Sequence, residues 1–297
     1  VTEKILAQAV EKFASVTHGL SNATLDREWK WRAYDEGVRF AFFRTYEELC
    51  QLATRAAATR AEQGPAITIA QRALAQYHAA FRDLQAILLG VGDADFDTPP
   101  AEGEWPLRTI LGHTMAAERG FFAITWYAVE QGRKGNPPIK MPDDKVEAFV
   151  GSWDAFEHKM DESLAGILAH YEALRQRILH ELADIGEDEL NIPSLWWEGE
   201  PMPIQFRLHR FDSHLRQHTI QAEKTLDALG YQPNEAKRLL RIIYRALAEA
   251  EGGAIGAWDV GAEQRRAIAA GIAARADEIT SVATRQPITH QPITQKL

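Results

Sequence analysis

Apolar residues recur along this chain every three or four positions. They lie in long segments rich in Ala, Leu, Glu, Arg and Gln, separated by short breaks that contain Pro and Gly. That period is helical, and nothing reads as a strand, because the alternation of a half-buried strand is missing. The pattern predicts helices over about residues 2–15, 25–62 and 68–89, and one from Trp105-Pro106 to the residue before "GRKGNPP". Further helices are predicted over about 144–183, with a weak point at Gly151-Ser152, and over 204–229, 234–251 and 263–283. Punctuation supports these limits. Ser21, Asn22 or Thr24 can cap the second helix and Gly64-Pro65 can stop it; Pro106 suits a first turn, and Gly230 a C-terminal cap. In the second helix Phe43, Tyr46, Leu49 and Leu52 read as a buried stripe.

These elements predict an all-α protein. Residues 67–233 hold four long amphipathic helices, the pattern of a bundle. Residues 1–66 form an N-terminal helical extension, residues 234–285 add C-terminal helices, and residues 286–297, with QPIT written twice, are expected to be disordered. Trp29, Trp31, Phe40, Phe42 and Phe43 bring more apolar surface than one helix face hides. The extension is therefore expected to pack on the bundle or to form a homodimer interface.

Composition narrows the function classes. Hydrophobic residues make up 45% and charged residues 25%, an ordinary soluble balance. The net charge of −9 and the interleaving of Lys and Arg with Asp and Glu leave no basic stripe, which argues against a nucleic-acid partner. One cysteine, Cys50, permits no intramolecular disulfide, so a reducing cytoplasm is the simplest location. No apolar run has the length of a membrane span, and the first residues lack a signal peptide's apolar core, so no membrane association is expected.

Candidate chemistry rests on histidine. In "FDSHLRQHTIQAEKTL", His214 and His218 stand one helical turn apart, beside an apolar stripe of Phe211, Leu215, Ala222, Leu226 and Leu229. Arg210, Arg216, Gln217 and Lys224 mostly take other directions. Such a pair is either two ordinary helix histidines or two ligands; burial beside a core favours a shared cation as partner. For a third ligand the best candidate is His113, beside the face of Leu107, Ile110, Leu111, Thr114 and Phe121; the other reading is a buried histidine bonded to a carbonyl. His209 is too far round its helix, His158, His170 and His180 read as solvated, and His78 has no evident partner. "HLRQH" lacks the glutamate of HExxH, no Glu-x-x-His occurs, and no phosphate-cradling glycine loop is present.

"EWPLRTILGHTMAAERGFF" and "FDSHLRQHTIQAEKTLDALG", with "DADFDTPPAEGEW" ahead of the former, resemble the second and last bundle helices of the DinB-like family of metal-binding four-helix bundles. The resemblance covers roughly residues 67–235. It implies a three-histidine metal site with open coordination positions, carried here by His113, His214 and His218. It also implies a divalent transition metal, zinc or nickel foremost, and kinship with thiol-dependent transferases and isomerases that use a low-molecular-weight thiol. The long terminal helices depart from the family pattern. Glu118, Asp212 and Gln221 are second-sphere candidates from their nearness in sequence. Trp126 is a candidate pocket wall, and Trp196 and Trp197 a candidate lid, against the general rule that aromatic residues anchor packing. The expected function is a metal-dependent transferase or hydrolase acting on a small molecule through a metal-activated thiol or water. The competing class is a non-catalytic, stress-related binding or scaffold protein with a structural or vestigial metal site.

Overall fold

Side-chain caps start several of the helices where the sequence changes character. Thr68 and Gln71 form a reciprocal capping box ahead of α4 (Ile69–Ile87), and Asn234 caps α11 (Glu235–Gly252) by accepting from the Lys237 amide. The computed structural model describes residues 4–63 and 66–284, so the tail expected to be disordered and the Gly64-Pro65 stop lie outside the described residues. In chain order the remaining helices are α1 (Lys4–Thr17), α2 (Asn22–Leu25), α3 (Val38–Gln63), α5 (Asp93–Phe96), α6 (Leu107–Arg133), α7 (Asp143–Val150), α8 (Trp153–Met160), α9 (Leu164–Glu181), α10 (Ile204–Ala228) and α12 (Ala262–Thr284). The chain is all-α apart from one small antiparallel pair, β1 (Pro193–Ser194) with β2 (Met202–Pro203).

The helices α4, α6, α9 and α10 share one apolar core, built on Leu74, Phe81, Ile110, Phe122, Tyr171, Ile178, Phe211 and Leu215. This is the four-helix bundle. A second core is made by the two ends of the chain. Phe13 of α1, Phe42 and Leu49 of α3, Leu240 and Leu247 of α11, and Ile272 and Ile279 of α12 meet there. The N-terminal helices therefore pack chiefly on α11 and α12, and α11 in turn packs on α4 of the bundle.

Four sequence expectations change. The helix expected over 25–62 is interrupted. A short α2 ends at Leu25, and α3 begins at Val38, after a turn in which Trp31 and Tyr34 bridge each other. Gly37 makes this turn possible: its φ is +75°, and a Cβ there would lie 2.9 Å from the Arg27 carbonyl oxygen. Within α3 the buried stripe is Phe42, Thr45, Leu49 and Leu52, while Phe43 is largely exposed. A strict three-residue repeat drifts about 60° per step round a helix, so it cannot hold one face for four members. The segment 144–183 is three helices. Gly151, with φ +91°, ends α7, and the hydroxyls of Ser152 and Ser163 cap α8 and α9. The expectation of no strand fails at β1 and β2, which Ser194 locks by donating from Oγ to the Met202 carbonyl at 2.7 Å.

Candidate metal centre

Helices α6 and α10 lie side by side in the bundle, and each brings histidine to the same level. On α10 the buried positions Phe211, Leu215, Ala222 and Leu226 face the core, and His214 and His218 are buried beside them. On α6 His113 sits at the solvent edge, next to the buried Leu111 and Thr114. The three ring centroids are 5.3 Å (113 to 214), 4.7 Å (113 to 218) and 4.4 Å (214 to 218) apart. One ring nitrogen from each lies within 4.8 Å of the other two.

Nε2 of His214 is 3.2 Å from Nε2 of His218. Ligand nitrogens around a tetrahedral zinc ion, at about 2.0–2.1 Å from the metal, stand about 3.3 Å apart. Two of the three nitrogens thus already have a shared ion's spacing. The Gln221 amide oxygen lies 2.8 Å from Nδ1 of His218. A carbonyl oxygen only accepts, so Nδ1 carries the proton and Nε2 turns a bare lone pair toward the other imidazoles. Burial, then His218, His113 and Arg210, push the His214 pKa down to about 3. Burial and His218 lower that of His113 as well. These two rings are therefore neutral near pH 7, the form that binds metals. No hydrogen bond takes Nδ1 of His214 among the described residues, and this ring is held by packing: the Phe121 ring stands edge-on to it at 5.4 Å. The donor set fits a divalent transition metal with an open face on the His113 side.

The surroundings differ in part from what the sequence suggests. Gln221 touches a site histidine, but Glu118 and Asp212 do not. Glu118 is wholly buried and accepts hydrogen bonds from the hydroxyls of Tyr77 and Tyr171. Five residues place it about 140° round α6 from His113. Asp212 accepts from Arg216 at 2.7 Å; residues two apart on a helix do not share a face with His214. Trp126 stacks on Phe149 at 4.4 Å, about 20 Å along α6 from His113, too far to wall this centre. Trp196 packs edge-on against Phe121 at 5.5 Å and over Gly120, where a Cβ would meet its ring at 2.7 Å; it supports the wall beside His214. Trp197 is 74% exposed and covers nothing at the histidines.

Two residues at the centre are not among the site residues expected from the sequence. Trp105 lies 5.3 Å from His113 and forms the opposite wall. Arg210, expected to point elsewhere, lies on the histidine strip with its guanidinium over the Phe121 ring. The repeat Arg210, His214, His218, one turn apart each, was the available signal. His78 has partners after all: Glu251 at 2.8 Å and Arg175.

Fold and site together define an all-α bundle with a three-histidine cluster between two adjacent helices. Residues 76–222 match the DinB superfamily, and the bundle they form is DinB-like. No curated protein and no solved structure gives a significant match to the chain.

Proposed function

We propose that the bundle holds a divalent transition metal, zinc or nickel foremost, on His113, His214 and His218, and acts as a metal-dependent transferase or hydrolase on a small molecule. The observation that carries this is the convergence of the Nε2 atoms of His214 and His218 at 3.2 Å, that of His218 left as an acceptor by the bond from its Nδ1 to Gln221, with His113 within reach. Three neutral ligands leave the ion's full charge in place, so when bound it acidifies a water or holds a thiol, such as a low-molecular-weight cofactor, as thiolate. The protein's own share is positioning and exclusion. Gln221 orients His218, Phe121 and Trp196 wall the buried side, and Trp105 flanks His113 at the open side. The exposure of His113 favours an open coordination face over a closed structural site. A cytoplasmic setting accords with a single cysteine.

Metal content and thermal melting of the full chain test the ligand set. His113→Ala, His214→Ala and His218→Ala should each lower metal affinity by orders of magnitude. His209→Ala, exposed on α10, and His170→Ala, on α9 and bonded to Glu162, should leave it unchanged, and all five should melt cooperatively. Wild-type protein that takes up no transition metal on supplementation rejects the proposal. Full metal in His113→Ala would remove that residue from the set.

A further inference from the structure

The strip of α10 that carries His214 and His218 continues one turn back to Arg210. Its neighbours on the same helix are neutralised: Arg207 pairs with Glu198 and Arg216 with Asp212. Arg210 has no carboxylate at ion-pair distance among the described residues. It donates one hydrogen bond, 3.3 Å to the hydroxyl of Ser213. Its guanidinium carbon lies 5.8 Å from the centroid of Phe121, and that same ring touches His214 at 5.4 Å. The side chain is half-buried. A half-buried, unpaired guanidinium laid on the wall of a cationic site gains little for the fold, since it adds repulsion to the metal. It is placed to receive an anion, and a guanidinium matches a carboxylate in two parallel hydrogen bonds.

We propose that Arg210 is the carboxylate receptor of this centre, so that the ligand class is a small carboxylate carrying a metal-binding group two or three carbons away. This rests on the metal reading above. One helical turn separates Arg210 from His214, about 6 Å along the axis, which a chain of two or three carbons spans. The Phe121 ring lies against both residues and offers that carbon chain an apolar wall.

The test uses full-length protein loaded with cobalt(II), its metal content measured first. The probes are 3-mercaptopropionate and its uncharged counterpart 3-mercaptopropionamide, read by the sulfur-to-cobalt charge-transfer band. Both offer the same thiolate; only one offers a carboxylate. Wild type should bind the acid about ten- to a hundred-fold more tightly than the amide, the worth of one charge-assisted pair. Arg210→Gln should abolish that preference, keep the affinity for the amide, and keep or improve cobalt binding, because a cation beside the ion has gone. Arg210→Lys should retain part of the preference, as a point charge without the fork. Equal binding of the two probes by wild type overturns the proposal, as does a preference that survives in Arg210→Gln. Loss of cobalt from Arg210→Gln also overturns it, since the arginine would then be holding the ligands in place. Failure of wild type to load cobalt is a different result: it removes the metal reading itself.

Discussion

Gln221 and Glu118 both came from the sequence as neighbours of the histidines, and their environments separate them. Gln221 holds the Nδ1 proton of His218. Gln221→Leu should weaken metal binding about ten- to a hundred-fold while the melting temperature of the metal-free protein stays nearly unchanged. Metal titration against a competing chelator reads it. Glu118 belongs to the core instead. Burial pushes its carboxyl up to about 8, although the bonds from Tyr171 and Tyr77 and the charge of Arg175 pull the other way. Below the unfolded value of 4.5 the acid is neutral in both states. As pH rises from there to about 8, the unfolded chain ionises and the folded one does not, so folding stability falls through that window. Glu118→Gln can still accept from one tyrosine and donate to the other, and it does not titrate. Its stability relative to wild type should rise between pH 5 and pH 8, by on the order of a few kcal/mol. Urea denaturation at the two pH values measures this; parallel behaviour of the two proteins would show that Glu118 does not titrate differently on folding.

Among the elements, the contact of α4 with α11 does more than join two helices. Arg82 of α4 is fully buried and bonds Glu251 of α11 through two nitrogens, at 2.9 and 3.0 Å, and His78 adds a bond to the same carboxylate at 2.8 Å. Arg175 of α9 bonds His78 and Glu172, so three helices share one ionic network. Burial alone would raise the Glu251 carboxyl, but Arg82 and His78 outweigh it and hold it down at about 2. Glu251→Ala leaves the buried Arg82 with only a 3.5 Å contact to Glu172 in place of its two-nitrogen carboxylate bond, and should cost about 3–5 kcal/mol. A lowered urea midpoint with an unchanged slope is the expected result; a loss under 1 kcal/mol would mean that water or Glu172 takes over.

At the scale of the whole molecule, the two ends of the chain close on each other. The aromatic surface of the N-terminal extension is covered largely within the chain: Trp29, Phe40 and Phe42 are buried in the core formed with α11 and α12. This is the surface from which a homodimer was expected. Removing residues 1–63 uncovers Leu240, Ile243, Leu247, Ile272 and Ile279 together, an apolar patch of the kind that drives association. The truncated chain should aggregate, or elute from size exclusion far above its mass. A soluble truncated monomer with wild-type melting would show that α11 and α12 do not depend on the N-terminal helices.

Helical content, the bundle and the histidine spacing were legible because each is a local property. A period near 3.6 marks a helix whatever it packs on, and His214 and His218 share a face in any helix. His113 is a candidate from its place beside an apolar helix face, a choice the family resemblance repeats, and its nearness to the pair depends on α6 and α10 being neighbours. What the tertiary structure alone decided are the pairings between distant positions. No local pattern distinguishes Glu118, enclosed by Tyr77 and Tyr171, from a glutamate beside a metal. None reveals that His78 finds Glu251, 173 positions away, or that Arg210 has no ion pair among the described residues while Arg207 and Arg216 are matched. The physical reason is that periodicity records which face of a helix is apolar, whereas a buried charge is satisfied by whichever element packing brings against that face.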